Sequence, residues 1–169
     1  MKKLMALVAL LASGPALAAL AVPASVEELA RSSDAVVRGR VVKVAARWSS
    51  DGKRISTYAE VEPSSVWRGS APPRVTVVVP GGVVGNIGQR VDGAPAFAEG
   101  EEVVLFVAAA GPAFRVQGLA QGKFAVVNGV ARPDLSQVGF VDRPALRAGE
   151  RRVEPMAVDE LEQRVRAAR

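Results

Sequence analysis

The chain contains no cysteine and no histidine, and only one tyrosine and two tryptophans. Without cysteine there is no disulfide framework, no thiolate nucleophile and no residue to carry an N-terminal lipid. Without histidine there is no Ser-His-Asp triad, and lacking both residues the chain cannot build a His- or Cys-based zinc site. Imidazole is the commonest general base near neutral pH, so its absence removes most hydrolase designs. Long apolar runs are also scarce. The one near the start is broken by Ser13, Gly14 and Pro15, short of the roughly 20 residues that a spanning helix needs.

A strong positive field is missing as well. The formal charge is +5, but Lys2 and Lys3 belong to the first segment, and the remaining basic residues stand against 17 acidic ones without forming a run. Nucleic-acid binders concentrate such charge on one face or stripe. No nucleic-acid partner is expected.

What is present begins with a leader. Lys2 and Lys3 precede an apolar core at 4–11, and Ala16-Leu17-Ala18 supplies the small-x-small pattern of a cleavage site, with Ala19-Leu20-Ala21 as a second choice. Residues 1–21 are therefore expected to be a signal peptide, and the protein extracytoplasmic, either periplasmic or secreted. The remaining stretch of about 150 residues suits a single domain with a real core.

Ser25-Val26-Glu27-Glu28 has the form of a capping box, predicting a short helix to about Arg31. Strand patterns follow. AVVRGRVVKVAARW (35–48) is valine-rich and broken at Gly39, which suggests a bulge or sharp bend. In 54–67, Ile55, Thr57, Ala59 and Val61 alternate with Ser56, Tyr58, Glu60 and Glu62, the period of a strand with one wet face. Ser50-Asp51-Gly52-Lys53 reads as the hairpin turn between the two, and Pro63 marks an edge or bulge. Further strands are expected at 74–79, 102–107, 113–119 and 123–127. Asn128-Gly129 is the strongest turn signal, returning through Val130-Ala131-Arg132.

Short strands without intervening helices predict a mainly β fold, an antiparallel barrel or sandwich. The domain organisation is read as a β-barrel domain over 22–132, an extended linker over 133–155 and a C-terminal helix over 156–169. Met156, Leu161, Val165 and Ala168 lie near helical spacing there, and Arg164, Arg166 and Arg169 suit the helix dipole.

Residues 79–97, VPGGVVGNIGQRVDGAPAF, raise the question of phosphate binding. A Walker A loop needs a lysine, and none occurs here. A dinucleotide fingerprint needs a following helix, and Gly93, Pro95 and another strand follow instead. The stretch is read as a loop or hairpin packing back on the barrel through Val83, Val84, Ile87, Val91 and Phe97, with Asn86, Gln89, Arg90 and Asp92 presented to solvent. Those four are the candidate binding residues. Trp48 and Trp67, at predicted strand ends, join them as aromatics that either bind a ligand or close the core.

Glu99, Glu101 and Glu102, with Asp92 nearby, could serve a glycosidase or hold calcium, but Glu-Gly-Glu-Glu also reads as a solvated turn entering a strand. No catalytic or metal-ligating residue is assigned and no cofactor is expected.

LARSSDAVVRGRVV (29–42), VWRG (66–69), VVVPGG (77–82), GAPAFAEGEEVVLFV (93–107) and GLAQGKF (118–124) together resemble a group of uncharacterised secreted bacterial proteins. The architecture is similar to the OB-like barrel of netrin and metalloprotease-inhibitor modules. That resemblance implies a small antiparallel OB-like barrel flanked by a short N-terminal and a C-terminal helix, and association with a secreted metalloprotease. The animal inhibitors use an N-terminal cysteine on zinc and several disulfides, which this chain lacks, so their mechanism does not transfer. The expected function is a non-catalytic, monomeric protein-binding module, with a carbohydrate-active enzyme using acidic residues or an envelope assembly factor as alternatives.

Overall fold

The computed structural model describes residues 19–141 and 150–169. The expected signal peptide, apart from residues 19–21, lies outside the described residues, as does part of the segment 133–155. In chain order the elements are β1 (Ala19–Ala21), α1 (Val26–Ser32), β2 (Ala35–Trp48), β3 (Ile55–Gly69), β4 (Val75–Pro80), β5 (Gly82–Val84), β6 (Ile87–Gln89), β7 (Glu102–Ala110), β8 (Ala113–Val116), β9 (Lys123–Val127), β10 (Val130–Pro133), β11 (Val138–Phe140), β12 (Met156–Ala157) and α2 (Val158–Ala167). The fold is mainly β. Among the described residues no helix is long and apolar enough to cross a membrane.

Local chemistry accounts for most of the turns. Ser25 caps α1 as expected, its hydroxyl accepting from the Glu28 amide at 3.0 Å while the Glu28 carboxylate accepts from the Ser25 amide. Asn128 and Gly129 both have positive φ, 51° and 74°, the type I′ geometry that matches strand twist. Between β5 and β6 only Gly85 of the Gly85-Asn86 pair is positive, the type II′ pattern.

The main sheet runs β12-β10-β9-β7-β2-β3-β4-β8, and β8 pairs a second time, with β7. β4 and β8 are parallel and meet at one pair, Val77 opposite Phe114; β7 and β8 form an antiparallel hairpin. β1 pairs in parallel with β11, a contact absent from the sequence reading. The expected C-terminal helix starts two residues later than predicted, because Met156 and Ala157 pair with β10.

Hydrophobic packing occurs on both faces of this sheet. On one, Val37, Val41, Val61, Val75, Val77 and Val103 are buried with Leu105 and Val107. On the other, Val36, Val104, Phe106, Phe124 and Val126 meet the two helices through Leu29, Leu161 and Val165. Strand β7 supplies both cores, which is why its sequence reads as an unbroken apolar run rather than an alternation. The Phe106 and Phe124 rings lie 5.8 Å apart at 47°, within the range where tilted aromatic pairs attract.

β3 begins as the alternation predicts, with Ile55, Ala59 and Val61 buried on one face. Past Pro63 the register against β2 slips at Gly39 and again between Val36 and Val37. The extra residues are Ser64 and Trp67. Simple alternation would put Trp67 on the face of Val61; the slips turn it to the helix side. Gly39 is required at the first slip. A Cβ there would lie 2.4 Å from the Glu62 carbonyl oxygen and 2.9 Å from Pro63 Cα, both backbone atoms that cannot swing aside.

Helix α2 is held against α1 by more than apolar contact. Arg164 donates to both oxygens of Glu27, at 2.7 and 2.9 Å. The Arg68 guanidinium donates to the Ala168 carbonyl at 2.8 Å. Burial pushes the Glu27 carboxyl up, but the Arg164 hydrogen bonds and the Glu27 and Ser25 donors outweigh it, leaving the group below its ordinary value of 4.5.

Two outcomes follow for stability. Gly39→Ala will lower the unfolding free energy in urea by about 2 kcal/mol, and a loss under about 0.5 kcal/mol would contradict the tight bulge. Glu27→Gln will cost about 1 to 2 kcal/mol at neutral pH, modest because both partners keep some exposure. A depressed folded pKa means that this stabilisation is complete above the unfolded pKa of 4.5 and disappears as pH falls through the folded value. The stability gap between the two proteins should therefore close in acid, open as pH rises towards 4.5 and stay level above it; a gap that persists unchanged into acid would exclude the ion pair as its source.

Candidate functional site

The excursion between β4 and β7 is ordered by a series of backbone ties. At its root the Gly81 amide donates to the Ile55 carbonyl at 2.8 Å, and the Thr57 hydroxyl donates to the Gly81 carbonyl at 2.7 Å. Gly82 has φ 138°, and a Cβ on it would lie 2.4 Å from Thr57 Oγ1 and 2.9 Å from Ala46 Cβ. The glycine pair thus lets the β5–β6 hairpin sit directly on the ends of β2 and β3. Further along, the Ala120 amide donates to the Gly93 carbonyl at 3.0 Å, and the Gly100 amide to Val41 at 2.8 Å. No part of this geometry presents a row of amides at a helix N-terminus.

The expected site residues separate into groups. Gln89 does not face solvent as a recognition group; its Oε1 accepts from the Ile55 amide at 2.6 Å and ties β6 to β3. Asn86 is exposed at the hairpin tip. Arg90 and Asp92 come together, Nε to Oδ1 3.3 Å, and Arg90 also donates to Gln137 Oε1. Trp48 is 40% exposed at the end of β2, opposite Ile55 and on the face over which Gly82 packs. Trp67 is 4% exposed, part of the helix-side core and on a different face from the excursion.

Burial of the excursion's apolar residues departs from expectation. Phe97 is half-buried against the inner core, but Val83 and Ile87 are 67% and 51% exposed, and Val91 is exposed beside them. A two-stranded hairpin has no interior of its own, so side chains beyond its glycine root have nothing to pack on. Two open cavities flank the stretch from Arg90 to Phe97. One, of about 450 Å³, is floored by Val44, Ala46, Thr57 and Val79. The other, of about 530 Å³, lies towards Ala120, Lys123, Ala125 and Arg132.

The glutamates do not converge. Glu99 accepts from the Val44 amide at 2.9 Å, Glu101 pairs with Lys123 at 2.6 Å, and Glu102 takes Arg38 Nε at 2.7 Å. Each carboxylate is occupied by its own donor. Among the described residues no group of acidic side chains is arranged to hold a metal ion. The Lys123–Glu101 pair is largely buried, with Lys123 Nζ 5.1 Å from the centre of the Phe97 ring. Sequence reading passed over this pair because its partners are 22 residues apart and meet only across the β7–β9 pairing.

Gln89→Ala leaves the Ile55 amide without its partner. Amide exchange across Gly82–Gln89 and at Ile55 should accelerate, with a global stability loss of only about 1 to 2 kcal/mol. Unchanged exchange there would mean that the hairpin is held by other contacts. Searches for similar proteins match this chain to no family model, no curated protein and no solved structure.

Proposed function

We propose that this protein is an extracytoplasmic protein-binding module on an OB-like barrel, with the β5–β6 hairpin as its main contact. The barrel reading is supported by the pairings: β2, β3, β4, β8 and β7 each pair with the next, and β7 pairs with β2. Such closure removes exposed sheet edges. It also agrees with the resemblance to netrin and metalloprotease-inhibitor modules. The leader at 1–21 supports secretion.

The observation that carries the binding reading is the exposed apolar hairpin held on a fixed root. Val83, Ile87 and Val91 stand in water while Gln89, Gly81 and Thr57 anchor the strands beneath them. Exposed apolar residues clustered on an ordered element favour association, and an anchored loop loses little entropy on binding. A secreted protease, as the resemblance implies, is the first partner class to try.

The double substitution Val83→Asp and Ile87→Asp removes the apolar contact without touching the root. The wild-type mature domain, cross-linked in secreted and envelope fractions, should retain a discrete partner that the folded double variant loses. Equal retention by both proteins, with matched thermal melts, would refute the hairpin as the contact.

A further inference from the structure

The β9–β10 hairpin extends beyond the inner core, and its two faces differ. Phe124, Val126 and Ala131 point to the helices and are buried. The opposite face carries Lys123, Ala125 and Val127 on β9 with Val130 and Arg132 on β10, where Arg132 lies opposite Ala125 and Val130 opposite Val127. Among the described residues neither α1 nor α2 covers this side. The stretch from Arg90 to Ala98 leans over its inner end, with Asp134 and Gln137 alongside, and a groove of about 530 Å³ lies between them. Beyond the groove, Val127 is 58% exposed, so an apolar strip continues along the hairpin.

Charges around the groove are mixed, and all but one are engaged. Lys123 pairs with Glu101 and sits over Phe97. Arg90 is held by Asp92 and Gln137. Asp134 accepts from the Ser136 hydroxyl at 2.7 Å and its amide at 3.1 Å, bonds that hold its carboxyl below the ordinary range. Arg132, which also lines the groove, is exposed and makes no side-chain hydrogen bond or ion pair among the described residues.

We propose that this groove binds an extended acidic segment of a partner protein, seating a small aliphatic side chain between Ala94 and Ala125 and its neighbouring carboxylate on Arg132. A guanidinium without a partner among the described residues, at the rim of an apolar groove, suits one carboxylate, which it can grip with two parallel hydrogen bonds. Polyanions are disfavoured because Glu101 and Asp134 lie in the same lining. This inference rests on the protein-binding reading and names the chemistry of a second contact on the same partner, next to the hairpin.

The test uses immobilised mature protein and a library of capped octapeptides with central Val-Asp or Leu-Glu pairs, each matched by its Val-Asn or Leu-Gln counterpart. Acidic members should bind about tenfold more tightly than their amide counterparts, the size of one charged hydrogen-bonded contact. Arg132→Ala should abolish that preference, Ala125→Leu should weaken both members of a pair by filling the groove, and Lys53→Ala, an equal charge change in the distant β2–β3 turn, should leave binding intact. Equal affinity for acid and amide, a preference that survives Arg132→Ala, or tighter binding of decanoate than of any peptide would each overturn the proposal. The peptides need no natural partner, so their failure leaves the hairpin capture experiment standing on its own.

Discussion

Strand β7 is buried on both faces, and the rest of the molecule follows from covering it. Val103, Leu105 and Val107 face the inner core, while Val104 and Phe106 face the helices. A strand of this kind cannot lie on a surface: either face exposed would leave several apolar side chains in water, each costing about 1.5 to 3 kcal/mol. One side is covered by strands curving over it, and the other by α1 and α2. The Glu27–Arg164 pair and the Arg68 bond to Ala168 hold the second helix over that outer face.

The same requirement shapes the candidate surface. The two helices reach across β7 to the helix-facing sides of β9 and β10, but the inner core does not extend under the other side of that hairpin. The excursion from β4 to β7 covers part of the uncovered area and leaves the rest as a groove. The two exposed features, the β5–β6 hairpin and the open face of β9–β10, are therefore neighbours, joined by the segment from Arg90 to Phe97. A partner lying across that segment could contact both.

Much of this was legible in the residues. The capping box at Ser25, the Asn128-Gly129 turn and the alternation through Val61 are local signals whose causes lie within a few positions of one another. Gly39 also announced its irregularity. The side occupied by Trp67 was not legible, because one register slip separates it from the alternating part of β3 and it sits at a second. Gln89 looked like a solvent-facing polar residue in a glycine-rich loop; it bonds to Ile55, 34 residues away. Val83 and Ile87 looked like packing residues, and the hairpin carries them past anything they could pack on.

By itself the sequence determined the strand-rich character, the turns and the exclusion of histidine and cysteine chemistry, since these depend on composition and short-range spacing. It also determined that 79–97 lacks the lysine and the helix that phosphate binding by known loops requires. Tertiary structure alone decided which side of each strand would be covered and what the glycines at 81 and 82 are for: they let the β5–β6 hairpin rest on the ends of β2 and β3. It likewise decided that Lys123 would find Glu101 while Arg132 would find no partner among the described residues. Those outcomes depend on pairings between distant strands, where one residue of register reverses every side chain.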